Sequence, residues 1–296
     1  MIRIQIVLTP AESKKLISKA VSEMDVVQRA LKEGIVVIHP SSSTYFIMEY
    51  ITGKRPEGIW LVGMIAPRGA CVEGLTQRAF EEDEYQELSN PANFPFSWVF
   101  RKGMLEKGLK LIDVLNQMGE KDVYIKGVNA IDAHGYVGVL LASLAGGTIG
   151  KALALQKEKQ FQILFLGGLE KLIPTPIKEV AKETGRANTS DALGISCGLL
   201  PIKADPVTEI KAFKMMAGVD AIPIAVGGVG GAEGSVMMVI KGEEEKVKKA
   251  MQLVKEIKRA KLPEVILPNC QTCHLPGCYF SGKIMDESLC IQRGNR

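Results

Sequence analysis

The chain has no run of about 18 uninterrupted apolar residues, the length a membrane-spanning helix requires. Its most hydrophobic stretch, residues 136–155, is broken by Gly138, Gly146, Gly147, Gly150 and Lys151, so no membrane partner is expected. The start, Met1-Ile2-Arg3-Ile4-Gln5, lacks the basic, apolar and cleavage-site order of an export signal. A cytoplasmic protein with reduced thiols is the resulting expectation. Excess charge of one sign is also missing: 37 Lys and Arg against 33 Asp and Glu leave a formal charge of +4, and segments such as 243–258 mix both signs. A nucleic-acid partner would call for a one-sided basic face with aromatics to stack on, and neither is present. No internal repeat is found.

What is present is an ordinary globular composition, 46% hydrophobic and 24% charged, over 296 residues. That length is enough for one large domain and a smaller one. A short extended start (2–8) runs into Thr9-Pro10-Ala11-Glu12, a capping box with proline at the first helical position. A helix is expected over 11–33, ended by Gly34, then a buried strand over 35–38 and a helix from Tyr45 to Ile51. Strands are expected over 59–66, 123–125 and 162–166. Helices are expected over 104–118 and 174–183, with a helix-like glycine-rich stretch over 137–155. Residues 78–102 show no period and read as a long loop. Strands alternating with helices predict a Rossmann-like, mostly parallel sheet with helices on both faces. From residue 194 the order becomes βαββα (strands 195–201, 222–226 and 236–240, helices 205–216 and 243–259), which suits a small ferredoxin-like subdomain.

The strongest chemical signal is Cys270-x2-Cys273-x4-Cys278-x11-Cys290. Four thiolates so spaced can close around one ion, as zinc or as an iron–sulfur centre; reduced thiols packed as small apolar groups, or an adventitious disulfide, are the competing reading. Cys71 and Cys197 read as buried thiols, and His39 and His134 as structural histidines. Ser41-Ser42-Ser43-Thr44 lies between a buried strand and a helix start, where free N–H groups and hydroxyls favour an anion; plain N-capping is the alternative. Gly127-Val128-Asn129-Ala130-Ile131-Asp132 follows a strand at the carboxyl edge of the sheet, and Asp132 could act as a base or as a cap. Gly146-Gly147-Thr148 would allow a ligand close to the backbone, and Lys171 offers a cation at the same edge. Gly227 to Gly234 precedes a strand, so it reads as a hairpin connection and not a dinucleotide fingerprint.

In order, these pieces resemble the superfamily of ribose-5-phosphate isomerase A, glucosamine-6-phosphate deaminase and the CoA transferases. Gly34, the strand 35–38, Ser42-Ser43-Thr44 and Tyr45-Phe46-Ile47 match the isomerase phosphate loop. Residues 127–132 match its Gly-Ala-Asp-Glu-Ile/Val-Asp motif, Gly146-Gly147-Thr148 its glycine run, and Glu170-Lys171-Leu172 its Ser-Lys-Leu. The resemblance implies an isomerase- or CoA-transferase-type domain over 1–193 and a ferredoxin-like lid over 194–260, to which the cysteine spacing adds a cysteine-rich metal-binding tail over 261–296. It implies Ser42, Ser43, Thr44, Gly127, Asn129, Gly147, Thr148 and Lys171 as ligand-binding residues. Asp132 and Lys151 are the catalytic candidates, although Asn129 replaces the first aspartate of the acidic motif and Lys151 stands where the catalytic glutamate would fall. The expected function is a small-molecule-binding metalloprotein acting on a phosphorylated or CoA-like anionic substrate. The alternative is a non-catalytic sensor or interaction protein whose cysteines dock a partner or carry electrons, with a second copy of the chain or a redox protein as its partner.

Overall fold

The computed structural model describes residues 1–82, 93–143, 146–273 and 278–282. Strand β1 (Ile2–Leu8) leads through the expected capping box into helix α1 (Pro10–Ser22). The helix expected over 11–33 is in fact two. Met24 is extended, the Ser22 hydroxyl donates back to Lys19 O, and the Gln28 side chain donates to Ser22 O, so α2 (Asp25–Glu33) starts afresh behind an acidic first residue.

The centre is a five-stranded sheet in the order β10-β7-β2-β5-β6. It comprises β2 (Ile35–Ile38), β5 (Trp98–Arg101), β6 (Met104–Glu106), β7 (Val123–Gly127) and β10 (Gln162–Leu166). β2, β7 and β10 are parallel, while β5 pairs antiparallel with β2 and β6 antiparallel with β5. The sheet is therefore mixed and not mostly parallel. The antiparallel edge comes from two segments misread in the sequence: β5 lies within the expected loop 78–102, and β6 takes the first part of the expected helix 104–118. Lys102 and Gly103, both at positive φ, make the hairpin between them. Only α5 (Leu111–Gln117) of that helix forms.

Side-chain alternation along the strands splits the core. Val36, Ile38, Val123 and Ile125 pack with Leu16 and Ile17 of α1 and with Phe46 and Ile47 of α3 (Tyr45–Thr52). Ile35, Val37 and Tyr124 face the other way, towards Leu111 and Leu115 of α5 and towards Ile149 and Ala152 of α6 (Gly147–Lys159). Residues 137–155, expected to be helical, hold strand β9 (Tyr136–Leu141) before α6 begins. A short apolar run with glycines fits a buried strand as well as a helix, and pairing decides.

β9 lies between β8 (Ala130–Ile131) and β11 (Gly198–Lys203) in a separate antiparallel sheet, with α7 (Ile177–Glu183) against β11 and β9. A third sheet joins β1 to β13 (Ser235–Gly242) and β13 to β12 (Asp220–Gly227). Helices α8 (Glu209–Ala217) and α9 (Glu244–Ile257) pack on it. The strand expected to open the small subdomain thus pairs elsewhere, and the N-terminal strand completes the third sheet. Gly227 to Gly234 does form the hairpin connection between β12 and β13.

The hairpin of β3 (Gly63–Ala66) and β4 (Gly69–Val72) precedes α4 (Gly74–Glu82). The tail returns along this unit. Gly74 N donates to Ile266 O, Ile266 N to a Glu73 carboxylate oxygen, and Gln77 exchanges two hydrogen bonds with the Asn269 backbone. Among the described residues no helix is long and apolar enough to cross a membrane.

Candidate functional site

At the carboxyl ends of β2 and β7 lies a cavity of about 280 Å³, where parallel α/β sheets place their ligands. The serine loop forms its floor. Thr44 is fully buried and donates to His39 O at 2.6 Å, with Ser41 Oγ 3.0 Å away. Thr44 therefore shapes the loop from behind, while Ser41, Ser42 and Ser43 line the cavity.

Gly127, where β7 ends, has a steric reason to be glycine. A Cβ there would stand 2.7 Å from Ser41 Oγ and 2.9 Å from Ser43 Cβ. Its lack of a side chain lets the serine loop close against the sheet. Lys171 follows β10 on a short helical turn and reaches across: its Nζ donates to Ser43 Oγ at 2.7 Å and to Val128 O at 2.5 Å. An ammonium has three protons, so one remains for a ligand. Burial pulls the Lys171 pKa down to about 8, against the upward pull of Glu170 and Glu209.

Lys126 is the residue that sequence reading missed. It lies two positions after Tyr124 on β7, so both point to the same interior face. Its side chain lines the cavity beside Val139, Ile149 and Thr148 and is only 6% exposed. Among the described residues its amine has no hydrogen-bond or ion-pair partner. Burial alone brings its pKa down to about 7. His39, stacked on Phe94 at 5.2 Å, lines the same space. Burial first, and then the charge on Lys126, hold the His39 imidazole well below its usual pKa, so it is neutral. No Asp or Glu lines the cavity among the described residues.

Gly147 and Thr148 reach the cavity at the first turn of α6, which has no side-chain cap. Asn129 also lines it, while its Oδ1 accepts from Leu140 N at 3.0 Å and ties β9 in place. Two expected residues are elsewhere. Asp132 accepts from His134 N, Tyr136 N and Ile177 N, each at 2.9 Å. Burial pushes its pKa up, but these donors, Ile177 first, together hold it below the usual carboxylate range. Neither Asp132 nor Lys151 lines the cavity; Asp132 anchors a turn through one carboxylate oxygen and the start of α7 through the other.

The β3–β4 hairpin forms the opposite wall and brings Cys71 to the cavity; Cys197 lines it too. Both thiols are half-buried rather than sealed in the core. Behind the hairpin are Cys270 and Cys273, both buried, and Cys278, whose backbone pairs with Ile195. Arg68 Nη1 donates to Cys270 Sγ at 3.2 Å. Burial pushes the Cys71 thiol up to about 11, and its neighbours Cys278, Cys270 and Cys273 push the same way. The tail thiols thus lie behind the cavity wall and not at a distant surface. Among the described residues, no three His, Cys, Asp or Glu side chains are gathered to hold a metal ion. Cys290 lies outside the described residues.

No family model, no curated protein and no solved structure matches this chain.

Proposed function

We propose that this protein binds a small anionic metabolite in the cavity between the serine loop and the β3–β4 hairpin, and acts on it there. The observation that carries this reading is charge imbalance in a confined space: Lys126 and Lys171 both reach a cavity that no described carboxylate lines. Two amines drawn out of water, with no carboxylate lining the cavity beside them, favour a bound anion that restores the balance. Ser41, Ser43 and the third proton of Lys171 supply donors for phosphate-type oxygens.

The volume, about 280 Å³, is at the small end for ligand pockets. It suits a phosphorylated or carboxylated compound of a few carbons, or the reactive end of a CoA-like molecule. The resemblance to the isomerase and CoA-transferase superfamily is consistent with an anion at the serine loop. A carboxylate-driven aldose–ketose isomerisation is not favoured, because Asp132 anchors a turn and a helix and stands outside the cavity. In a thermal-melt titration with phosphate or sulfate, the protein should gain stability as the anion is added. The Ser43→Ala, Lys171→Ala double variant should not, and an unchanged response would remove those residues from the site.

The zinc or iron–sulfur centre on Cys270, Cys273, Cys278 and Cys290 is a separate proposal. It is supported by the spacing, by the absence of disulfides among the described cysteines, and by the burial of Cys270 and Cys273 behind one wall. No chemical step is routed through it. Metal analysis and an absorption spectrum on anaerobically prepared protein test it: a protein without bound metal contradicts it.

A further inference from the structure

We infer that Lys126 is a nucleophile that forms a Schiff base with a small carbonyl compound whose anionic group is held by Lys171 and the serine loop. This inference rests on the anion-binding reading of the same cavity and adds to it the class of substrate: a 2-oxo acid or a phosphorylated ketone or aldehyde.

Three observations converge on Lys126. Its side chain lines the cavity, and the residue as a whole is only 6% exposed. It has no acceptor and no carboxylate partner among the described residues, so it serves no evident structural purpose there. A lysine kept for stability would be paired or would reach water with its amine. The other ionisable groups lining the cavity are His39, Cys71, Cys197 and Lys171. None of them is a carboxylate, and burial keeps the His39 imidazole neutral. Nothing among them restores the ordinary basicity of the amine, whose pKa is brought to about 7. Lys126 therefore offers a free amine at neutral pH far more often than a solvated lysine does.

The division of labour follows from placement. Lys171, already tied to Ser43 and Val128, holds the anionic group, which leaves Lys126 to attack the carbonyl carbon. The Nζ lone pair forms the N–C bond and the C=O π pair moves to oxygen. Both amine protons finally leave with that oxygen as water, giving C=N. No oxidant or reductant is needed.

Mass spectrometry after reductive trapping tests the proposal on the full chain. Dihydroxyacetone phosphate and, in a parallel reaction, pyruvate serve as probes, with sodium cyanoborohydride delivering hydride to the iminium carbon. At pH 7 one adduct per chain should map to Lys126, form at least tenfold faster than at any other lysine, and be slowed by inorganic phosphate. Trapping with only one probe identifies the anionic group the site takes. Adducts scattered over surface lysines, or none at Lys126 with either probe, overturn the inference. If the same preparation still binds phosphate in a thermal-melt titration, the anion site stands and the nucleophile alone is wrong. If phosphate binding also fails, both readings fall.

Discussion

Lys171 Nζ stands 2.7 Å from Ser43 Oγ, joining the turn after β10 to the loop after β2 across 128 positions of chain. This contact draws the serine loop and the turn after β10 together at the cavity, so the shape of the cavity depends on the loop's geometry.

Replacing Lys171 with methionine keeps most of the side-chain bulk and removes the charge. A charge-assisted hydrogen bond contributes about 1.5–3 kcal/mol, so phosphate affinity should fall by roughly ten- to a hundredfold. Calorimetric titration of phosphate into the variant measures it; an unchanged affinity would place the anion elsewhere.

Gly127→Ala tests how closely the loop must approach. The added methyl would collide with Ser41 and Ser43, and relief requires the loop to move. Overpacking of this kind costs about 1–3 kcal/mol. Chemical denaturation should show that loss, accompanied by weaker phosphate binding. Full stability with normal binding would mean the loop is not seated against β7 as described.

Lys126 should make stability depend on alkaline pH. Its pKa falls from 10.5 in the unfolded reference to about 7 in the fold, so between those values the unfolded chain binds more protons. Stability attributable to this residue is complete above about pH 10.5, declines as pH falls, and is lost by about pH 7. Lys126→Met removes the dependence, and its melting temperature should exceed the wild type's by several degrees at pH 7 and converge with it near pH 10. Parallel melting curves for the two proteins would show that Lys126 is not held in an apolar setting.

Asp132→Asn separates anchor from catalyst. Three backbone N–H groups converge on its carboxylate, and the amide can satisfy fewer of them. The variant should lose about 1–3 kcal/mol of stability and retain phosphate affinity. Because its pKa is held low, the wild-type advantage should shrink as pH drops below about 4. An Asp132→Asn protein of normal stability that no longer bound phosphate would return Asp132 to the site.

Much of the cradle was legible in the sequence because its signals are local. Ser41 to Thr44 between a buried strand and a helix, and glycine at a strand end, carry their meaning within a few residues. Thr44 was read one step too far, since its hydroxyl is spent on His39 O. Lys126 was overlooked because a single lysine near a strand end reads as solvated. Only the alternation Tyr124–Lys126, with Tyr124 in the core, could have shown that it points inward. Asp132 was read from its place after a strand and Lys151 from its position in a resembled motif, and neither lines the cavity. The antiparallel edge β5–β6, the strand β9 and the pairing of β1 with β13 depend on partners distant in sequence, which local periodicity does not encode.

The claim that an anion completes this cavity is tested most directly by calorimetric titration of inorganic sulfate, which carries no proton of its own at pH 7.5, in two buffers of different ionisation enthalpy. An anion between Lys126 and Lys171 raises both pKa values, about 7 and about 8 in the free protein. Binding should therefore draw protons from the buffer, up to about one per sulfate at pH 7.5 and more as the pH rises, the affinity falling as that uptake grows. Binding with no buffer dependence, or no binding at all, would contradict the account.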